Sequence, residues 1–380
     1  MADVGYADLA EFIRAPGHIL SREAASASIN PVNAGLFAAD GKPLVVSCVG
    51  LLPSMSAALA SVRSFFGKRW LQDDVALTND MDAGAVNACE MISVAPAYSG
   101  GALVGWTVVR GRVPDFGGWD PGGFSPQAVD RWAEGARLEP VKVMTGGADR
   151  REVIDLLRLN SRTPDTTLAH VRSLAKAALA LGKMYVANSE RLVVTIGATR
   201  AAEKNKVLSA FANLPQVFPP TLAEFSVPWT NQRFGSAEIQ VERSGDGLRI
   251  GVQAPTVATL PINLGRFAAQ DIITASVAYA CGLDSFVTDT LSSRIEINMQ
   301  EPSLLAAPLP APVGLGRQTA GQVLFRAISS ALGVSGERAE SNWHKYRDST
   351  CGTDFDQQSG RLASSAVAKV RAHQSQEVSA

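Results

Sequence analysis

Apolar positions along this chain follow two periods, and the period changes several times. Residues 34–38 and 43–47 read as strands joined by Asp40-Gly41, a dipeptide that supplies the positive φ angles of a tight hairpin. From 54 to 66 the spacing turns helical, with Met55, Leu59, Val62 and Phe66 on one face and Gly67 as the stop. A short strand at 75–78 ends in the polar pair Asn79-Asp80. A second hairpin is predicted at 91–97 and 102–110, turning at Tyr98-Ser99-Gly100-Gly101. Residues 110–123 then hold too much Gly and Pro for any regular element. Shaped loops of that length in compact domains tend to carry function.

The second half is more helical. Residues 149–159 place Val153, Ile154, Leu156 and Leu157 inward. Thr163-Pro164-Asp165 restarts a helix, with a capping hydroxyl, a proline at the first helical position and an acid at the positive end of the dipole. Leu168, Val171, Ala175 and Ala178 share a face of that helix, which is predicted to end near Gly182. Strands are predicted at 192–196, 238–242, 248–253 and 294–299, and amphipathic helices at 267–279 and 321–332. The Ser-, Ala- and Gln-rich stretch 359–380 predicts a frayed helix around 362–370 and then disorder. The mixture is α+β (mixed α/β), without a βαβ period or an internal repeat. It divides into an N-terminal segment 1–24, one domain over 25–355 with a sub-boundary near 145–165, and a flexible tail 356–380.

Composition narrows the function classes. Lys plus Arg number 35 and Asp plus Glu 36, a formal charge of −1, so the basic excess of a nucleic-acid binder is missing. Charged residues make up 19%, below the roughly 25% of ordinary soluble domains, which suggests surface covered by partner subunits. Cys48, Cys89, Cys281 and Cys351 stand far apart with no CxxC pair, which points to a reduced cytoplasm rather than a disulfide framework or zinc knuckle. The first residues lack the basic and apolar regions of a signal peptide. The uncharged stretch 43–62 contains Pro53 and four serines and reads as strand, turn and helix, so no membrane partner is expected.

Few motifs carry chemistry. There is no P-loop, and Gly314-Leu315-Gly316 follows proline-rich sequence rather than a strand, so any ATP is expected on another chain. His18, His170, His344 and His373 have no paired spacing. His170 is expected on a solvated helical face, while His344, in a mixed polar setting, is a candidate to line a site. No Gly-x-Ser-x-Gly elbow accompanies them, so a serine hydrolase is excluded. The acids are more informative. Asp80, Asp82 and Glu90 follow one strand, and Asp115 and Asp120 follow another. Two such loops can converge on one cleft, or Asp80 and Asp115 can simply cap turns; the residues alone leave both open.

An ordered set of motifs adds to this. Thr78-Asn79-Asp80 leads to Gly84 and a hairpin, then to Arg110, Asp115-Phe116-Gly117-Gly118, Pro121-Gly122, Glu134-Gly135, Pro140-Val141-Lys142 and Asn160-Ser161-Arg162-Thr163-Pro164. Over roughly residues 25–355 this order and spacing resembles the hydantoinase B/oxoprolinase family, which includes acetone and acetophenone carboxylase large subunits. Ala307-Pro308-Leu309-Pro310-Ala311-Pro312-Val313-Gly314 resembles that family's Pro/Ala-rich segment. The resemblance implies a hydantoinase B-like fold with antiparallel hairpins, long amphipathic helices and a shortened C-terminus. It also implies a hydantoinase A-type subunit that uses ATP and Mg²⁺, with no cofactor bound tightly by this chain. A second B-type chain, or a small subunit carrying the C-terminal portion, is a further partner it suggests. Three functions follow: cyclic-amide hydrolysis, ketone carboxylation, or a structural role in such a complex.

The departures matter as much. Where the family's metal-binding His and Asp stand, this chain has Asn87 and Glu90, with Cys89 between them, and the family's His-His pair falls on Arg112 and Val113. Asn is a poor ligand for a transition metal, and an arginine repels a cation. The resemblance therefore leaves Asp80, Glu90 and Asp115 as candidate catalytic residues and no metal ligand set. Asn79, Asn87, Arg112, Gly117 and Gly118 remain as candidate substrate contacts.

Overall fold

The computed structural model describes residues 32–350, together with the short strand pairs 355–356 and 361–362. Its first half is built on a seven-stranded sheet in the order β2-β1-β5-β4-β3-β6-β7. The strands are β1 (Asn33–Ala38), β2 (Pro43–Val46), β3 (Val75–Thr78), β4 (Glu90–Ser99), β5 (Ala102–Arg112), β6 (Val141–Thr145) and β7 (Ala148–Asp149). Every pairing is antiparallel, as the predicted hairpins require. Helix α1 (Leu52–Phe66) covers one face, burying Leu52, Met55, Leu59 and Val62 against Val94, Trp106 and Val108. Its apolar length is therefore core, as the uncharged stretch suggested. On the other face, Leu168, Val171, Leu174 and Leu181 of α4 (Pro164–Ala187) meet Met91 and Val109. Because both faces are covered, the central strands are buried almost throughout instead of alternating with solvent.

The second half holds a four-stranded sheet in the order β11-β10-β9-β8. It comprises β8 (Thr221–Val227), β9 (Gln232–Ser244), β10 (Gly247–Gln253) and β11 (Ile295–Met299), with only β10 and β11 parallel. One face is open to solvent, so β8 and β10 alternate buried and exposed residues. The inner face packs Phe225, Ile239, Ile250 and Val252 in one core with Ile272, Leu324, Phe325, Trp343 and Tyr346. These come from α6 (Arg266–Ala280), α7 (Ala320–Ala331) and α8 (Gly336–Thr350).

Several expectations are corrected. Residues 192–196 do not form a strand; they lie in α5 (Ser189–Ala212). The run Leu-Val-Val-Thr-Ile looks β-prone, yet Leu192 and Ile196, four apart, share the buried helical face while Val193 and Val194 face solvent. Helix α4 runs past Gly182 to Ala187; Gly182 keeps helical backbone and is buried beside Ala97 and Thr107, so it does not act as a stop. Strand β8 and helix α8 escaped the pattern. Leu362 pairs in a strand with Phe355 rather than opening a frayed helix. The N-terminal segment and most of the predicted tail lie outside the described residues.

Candidate functional site

Three segments converge at one end of the first sheet: the turn after β3, the loop after β5, and the link between α3 (Arg151–Leu159) and α4. Asp80 caps the turn Met81–Ala83, accepting from the Asp82 N–H at 3.0 Å. Its two oxygens also accept from Arg137, at 3.1 Å from Nε and 2.9 Å from Nη2. Asp115 is fully buried and accepts from the backbone N–H groups of Arg162 (2.8 Å), Gly122 (3.1 Å) and Gly117 (3.4 Å). Arg162 Nη1 lies 2.9 Å from Asp115, and the same guanidinium donates to the carbonyls of Gly117 and Gly118. Turn-capping is thus realised for both acids, and each stands behind an arginine rather than on a cleft wall. Arg137 and Arg162 line a single cleft of about 580 Å³, whose walls include Gly117, Gly118, Trp132, Gly135 and Leu159.

The glycines shape that cleft. Gly118 has φ +85°, and a Cβ there would lie 2.6 Å from the Glu134 backbone, so only glycine lets the loop press on that strand of chain. Asn79, by contrast, is buried below the cleft. Its amide donates to the Ala88 (2.6 Å) and Ala136 (2.8 Å) carbonyls and accepts from the Leu138 N–H at 2.6 Å. It latches two segments of backbone together.

Glu90 lies elsewhere, in a buried cluster of charge. Arg110 approaches it at 2.6 Å through Nη2 and 3.2 Å through Nε, and the Val86 N–H donates to it at 2.7 Å. Arg110 Nη1 also donates to Ser54 Oγ at 2.6 Å and lies 3.5 Å from Asp271, which in turn accepts from the Ser54 N–H. Arg317, buried and bonded to the Tyr346 hydroxyl at 2.7 Å, adds a second positive charge. Burial raises the Glu90 carboxyl, but Arg110 and Arg317 outweigh it and hold it below its ordinary value. Asp271, more distant from Arg110, is pushed up to about 6 by burial.

The resemblance implies a metal at positions 87, 90 and 112, and the donors present do not fit one. Asn87 Oδ1 accepts from the Cys89 N–H at 3.1 Å, and Glu90 is held by Arg110. Arg112 lies over the Phe124 ring, 4.5 Å from its centre, and donates to the Gly122 carbonyl at 3.3 Å. Among the described residues no three His, Cys, Asp or Glu side chains gather as a ligand set.

His170 is corrected as well. It is buried rather than solvated, with Nδ1 3.1 Å from the Arg112 carbonyl, because α4 lays this face on the end of β5. His344 does not line the cleft; it pairs with Glu340 one helical turn away, at 3.1 Å.

Helix α2 (Arg131–Glu134) fastens the Pro/Ala-rich segment to the site. Arg131 donates to the Ala311 (3.0 Å) and Ala307 (2.7 Å) carbonyls and to Asp82 (3.0 Å). Glu134 accepts from the N–H groups of Val313 (3.0 Å) and Gly314 (2.5 Å). Burial nevertheless pushes the Glu134 carboxyl up to about 8, against the pull of those two bonds. A carboxyl raised on folding holds a proton that the unfolded chain has released. Its contribution to stability is therefore complete below about pH 4.5 and is lost as pH rises towards 8. Thermal unfolding should show stability falling between pH 6 and 8, and Glu134→Gln should remove on the order of 2 kcal/mol of that fall. Parallel pH profiles of the two proteins would reject the assignment.

Sequence reasoning placed the two loops but missed what holds them. Arg162 was visible inside a motif without a role, and Arg137, Asp271 and Arg317 carried no local signal at all. Their partners lie up to 217 residues away.

Comparison with known proteins identifies relatives in sequence and in fold. The chain is 37% identical over 111 residues to the beta chain of the caprolactamase of Pseudomonas jessenii, covering 29% of this chain and 19% of that one. It is 22% identical over 301 residues to the B-type chain of a putative D-/L-hydantoinase of Pseudomonas sp. (strain NS671), covering 74% of this chain and 51% of that one. The solved ATP-dependent caprolactamase from P. jessenii superposes with a TM-score of 0.76 at 20% identity, over 88% of this chain and 60% of that one. Nucleotide-free acetone carboxylase superposes with a TM-score of 0.71 at 14% identity, over 86% and 46%. The chain thus spans less than two thirds of each of these relatives. Residues 7–368 match the description Hydantoinase B/oxoprolinase, and the chain belongs to that family.

Proposed function

We propose that this chain is the B-type subunit of a complex in which an ATP-using, hydantoinase A-type partner activates a cyclic amide and the cleft described above receives it. The observation that carries this reading is that two of the family's motif segments, at Gly117-Gly118 and Asn160-Ser161-Arg162, line one cleft, with Asp115 and Asp80 behind its two arginines. ATP and Mg²⁺ belong to the partner in this scheme, since no phosphate-binding loop is present in the sequence. Caprolactamase, a lactam-named relative on both sequence and structure, favours cyclic-amide opening over ketone carboxylation. A second B-type chain or a small accessory subunit would complete the assembly. Cys48, Cys89 and Cys281 are unpaired, which supports a reducing compartment such as the cytoplasm.

The chain's own residues orient and enclose. Asp115 fixes Arg162 and the glycine turn, Asp80 fixes Arg137, and Trp132 forms an apolar wall. A second reading, a non-catalytic subunit that holds the complex together, is favoured by one observation: all three candidate acids, Asp80, Glu90 and Asp115, are already engaged by arginines. Co-purification with the ATP-using partner and assay of amide-dependent ATP hydrolysis separates the two. In the intact complex, Asp115→Ala should reduce turnover by on the order of 10²-fold, because it releases Arg162 and the glycine turn from their positions. Wild-type turnover in an assembled complex would establish the structural role instead, and bicarbonate-dependent ATP consumption would indicate carboxylation.

A further inference from the structure

The charges around the cleft are arranged asymmetrically. Arg137 and Arg162 are 23% and 33% exposed, while their carboxylate partners, Asp80 and Asp115, are 9% and 0% exposed. The negative member of each pair is therefore buried behind the positive one, and no carboxylate is among the residues lining the cleft.

Both guanidiniums are also fixed in place. Asp80 is oriented by the Asp82 N–H, and Asp115 by three backbone N–H groups, so each acid acts as a rigid backstop for its arginine. Among the described residues, the bonds from Arg162 occupy Nη1 and Nη2 and leave Nε, and those from Arg137 to Asp80 occupy Nε and Nη2 and leave Nη1 facing the exposed Glu139 at 3.5 Å. A guanidinium held by an acid on one edge offers its other edge to a planar anion, and little ordering remains to be done on binding. Glycines 117, 118 and 135, all at positive φ, leave the wall without side chains between the two arginines' segments. The rim is apolar: Trp132 is 59% exposed and Leu159 83%.

We propose that the cleft binds a small organic anion, with a carboxylate or phosphoryl head on Arg137 and Arg162 and an apolar body against Trp132 and Leu159. The proposal rests on reading this cleft as the substrate cleft and gives that substrate its chemical class. It also gives both arginines a part beyond neutralising the acids behind them.

Ligand-observed NMR titration of the isolated full chain tests it, with hexanoate and inorganic phosphate as probes and hexanamide as the neutral control. Saturable binding is expected with a dissociation constant of about 1 mM, weakening as salt is raised. Arg162→Gln should weaken it about 10-fold or more. Because Arg137→Gln alone strands Asp80, the paired variant Asp80→Asn/Arg137→Gln serves at that position and should show the same loss; circular dichroism checks the fold of both. Binding of hexanoate alone identifies a carboxylate head, and of phosphate alone a phosphoryl head. No saturation by either anion, equal binding of hexanamide, or unchanged affinity in a folded variant overturns the proposal. The same variants assayed in the complex keep the two readings apart. Turnover without anion binding sinks this inference alone, and anion binding without an ATP-using partner sinks only the functional one.

Discussion

Arg110→Met should destabilise the chain by about 3–5 kcal/mol, the cost of leaving a buried charge without its partner. Arg110 is fully buried and meets two acids, Glu90 and Asp271, which come from different parts of the fold. Removing it leaves Glu90 with one backbone N–H and the more remote Arg317, and leaves Asp271 with Ser54. Methionine keeps most of the volume, so the loss reports charge rather than a cavity. The same physics predicts partial recovery. Adding Glu90→Gln and Asp271→Asn to Arg110→Met removes the stranded charges, and such neutral replacements of buried ion groups are often close to neutral in stability. Chemical denaturation of the single and triple variants measures both effects. A single variant within about 1 kcal/mol of the parent would mean that the cluster carries no net charge coupling.

Gly316→Ala should be at least as damaging, at more than about 4 kcal/mol, or should prevent folding altogether. A Cβ built at 316 overlaps the backbone carbonyl of Asn263, and no flexible side chain is there to yield. Asn263 cannot move easily. Its side chain is bonded to the Ala258 N–H and carbonyl and to the carbonyls of Leu260 and Pro312. Leu315, next door, donates to Pro261 at 2.9 Å, so two buried turns are laced together at this point. Gly197 supplies the contrast. It lies in α5 with nothing near its missing Cβ, and Gly197→Ala should stabilise by up to about 1 kcal/mol through helix propensity. Equal behaviour of the two substitutions in thermal unfolding would show that the close approach at 316 is not the constraint.

The elements that the sequence disclosed are those whose periods are local. The hairpins at Asp40-Gly41 and Gly100-Gly101 announce themselves because turn chemistry and alternation agree within a dozen residues. Helix α5 was hidden for the opposite reason. Its β-branched run is overridden by two packed positions four residues apart, and that packing depends on sheets formed far along the chain. The candidate site divides in the same way. Asp80, Asp115, Gly117 and Gly118 were legible because they end strands or shape loops. The roles of the arginines opposite them were not, since an ion pair over 47 or 57 residues leaves no trace in spacing. Glu90 illustrates the limit of motif reading. It stands where the family places a metal ligand, yet Arg110, two residues before Arg112, has drawn it into a purely ionic role.

Helix α5 also governs how the two sheets relate mechanically. Its 24 residues make a rod of roughly 36 Å. Leu192 and Ile196 near one end belong to the core of the seven-stranded sheet, and Val207 and Phe211 near the other belong to the core of the four-stranded one. Midway, Glu203 grips the Val287 and Thr288 N–H groups, and Val287 in turn accepts from Val46 of β2. The rod is thus clamped at both ends and at its centre, like a girder bolted across a joint. A hinge between the sheets would have to bend a continuous helix or tear one core from it. Any rearrangement of one core against the other is therefore tied to this one helix.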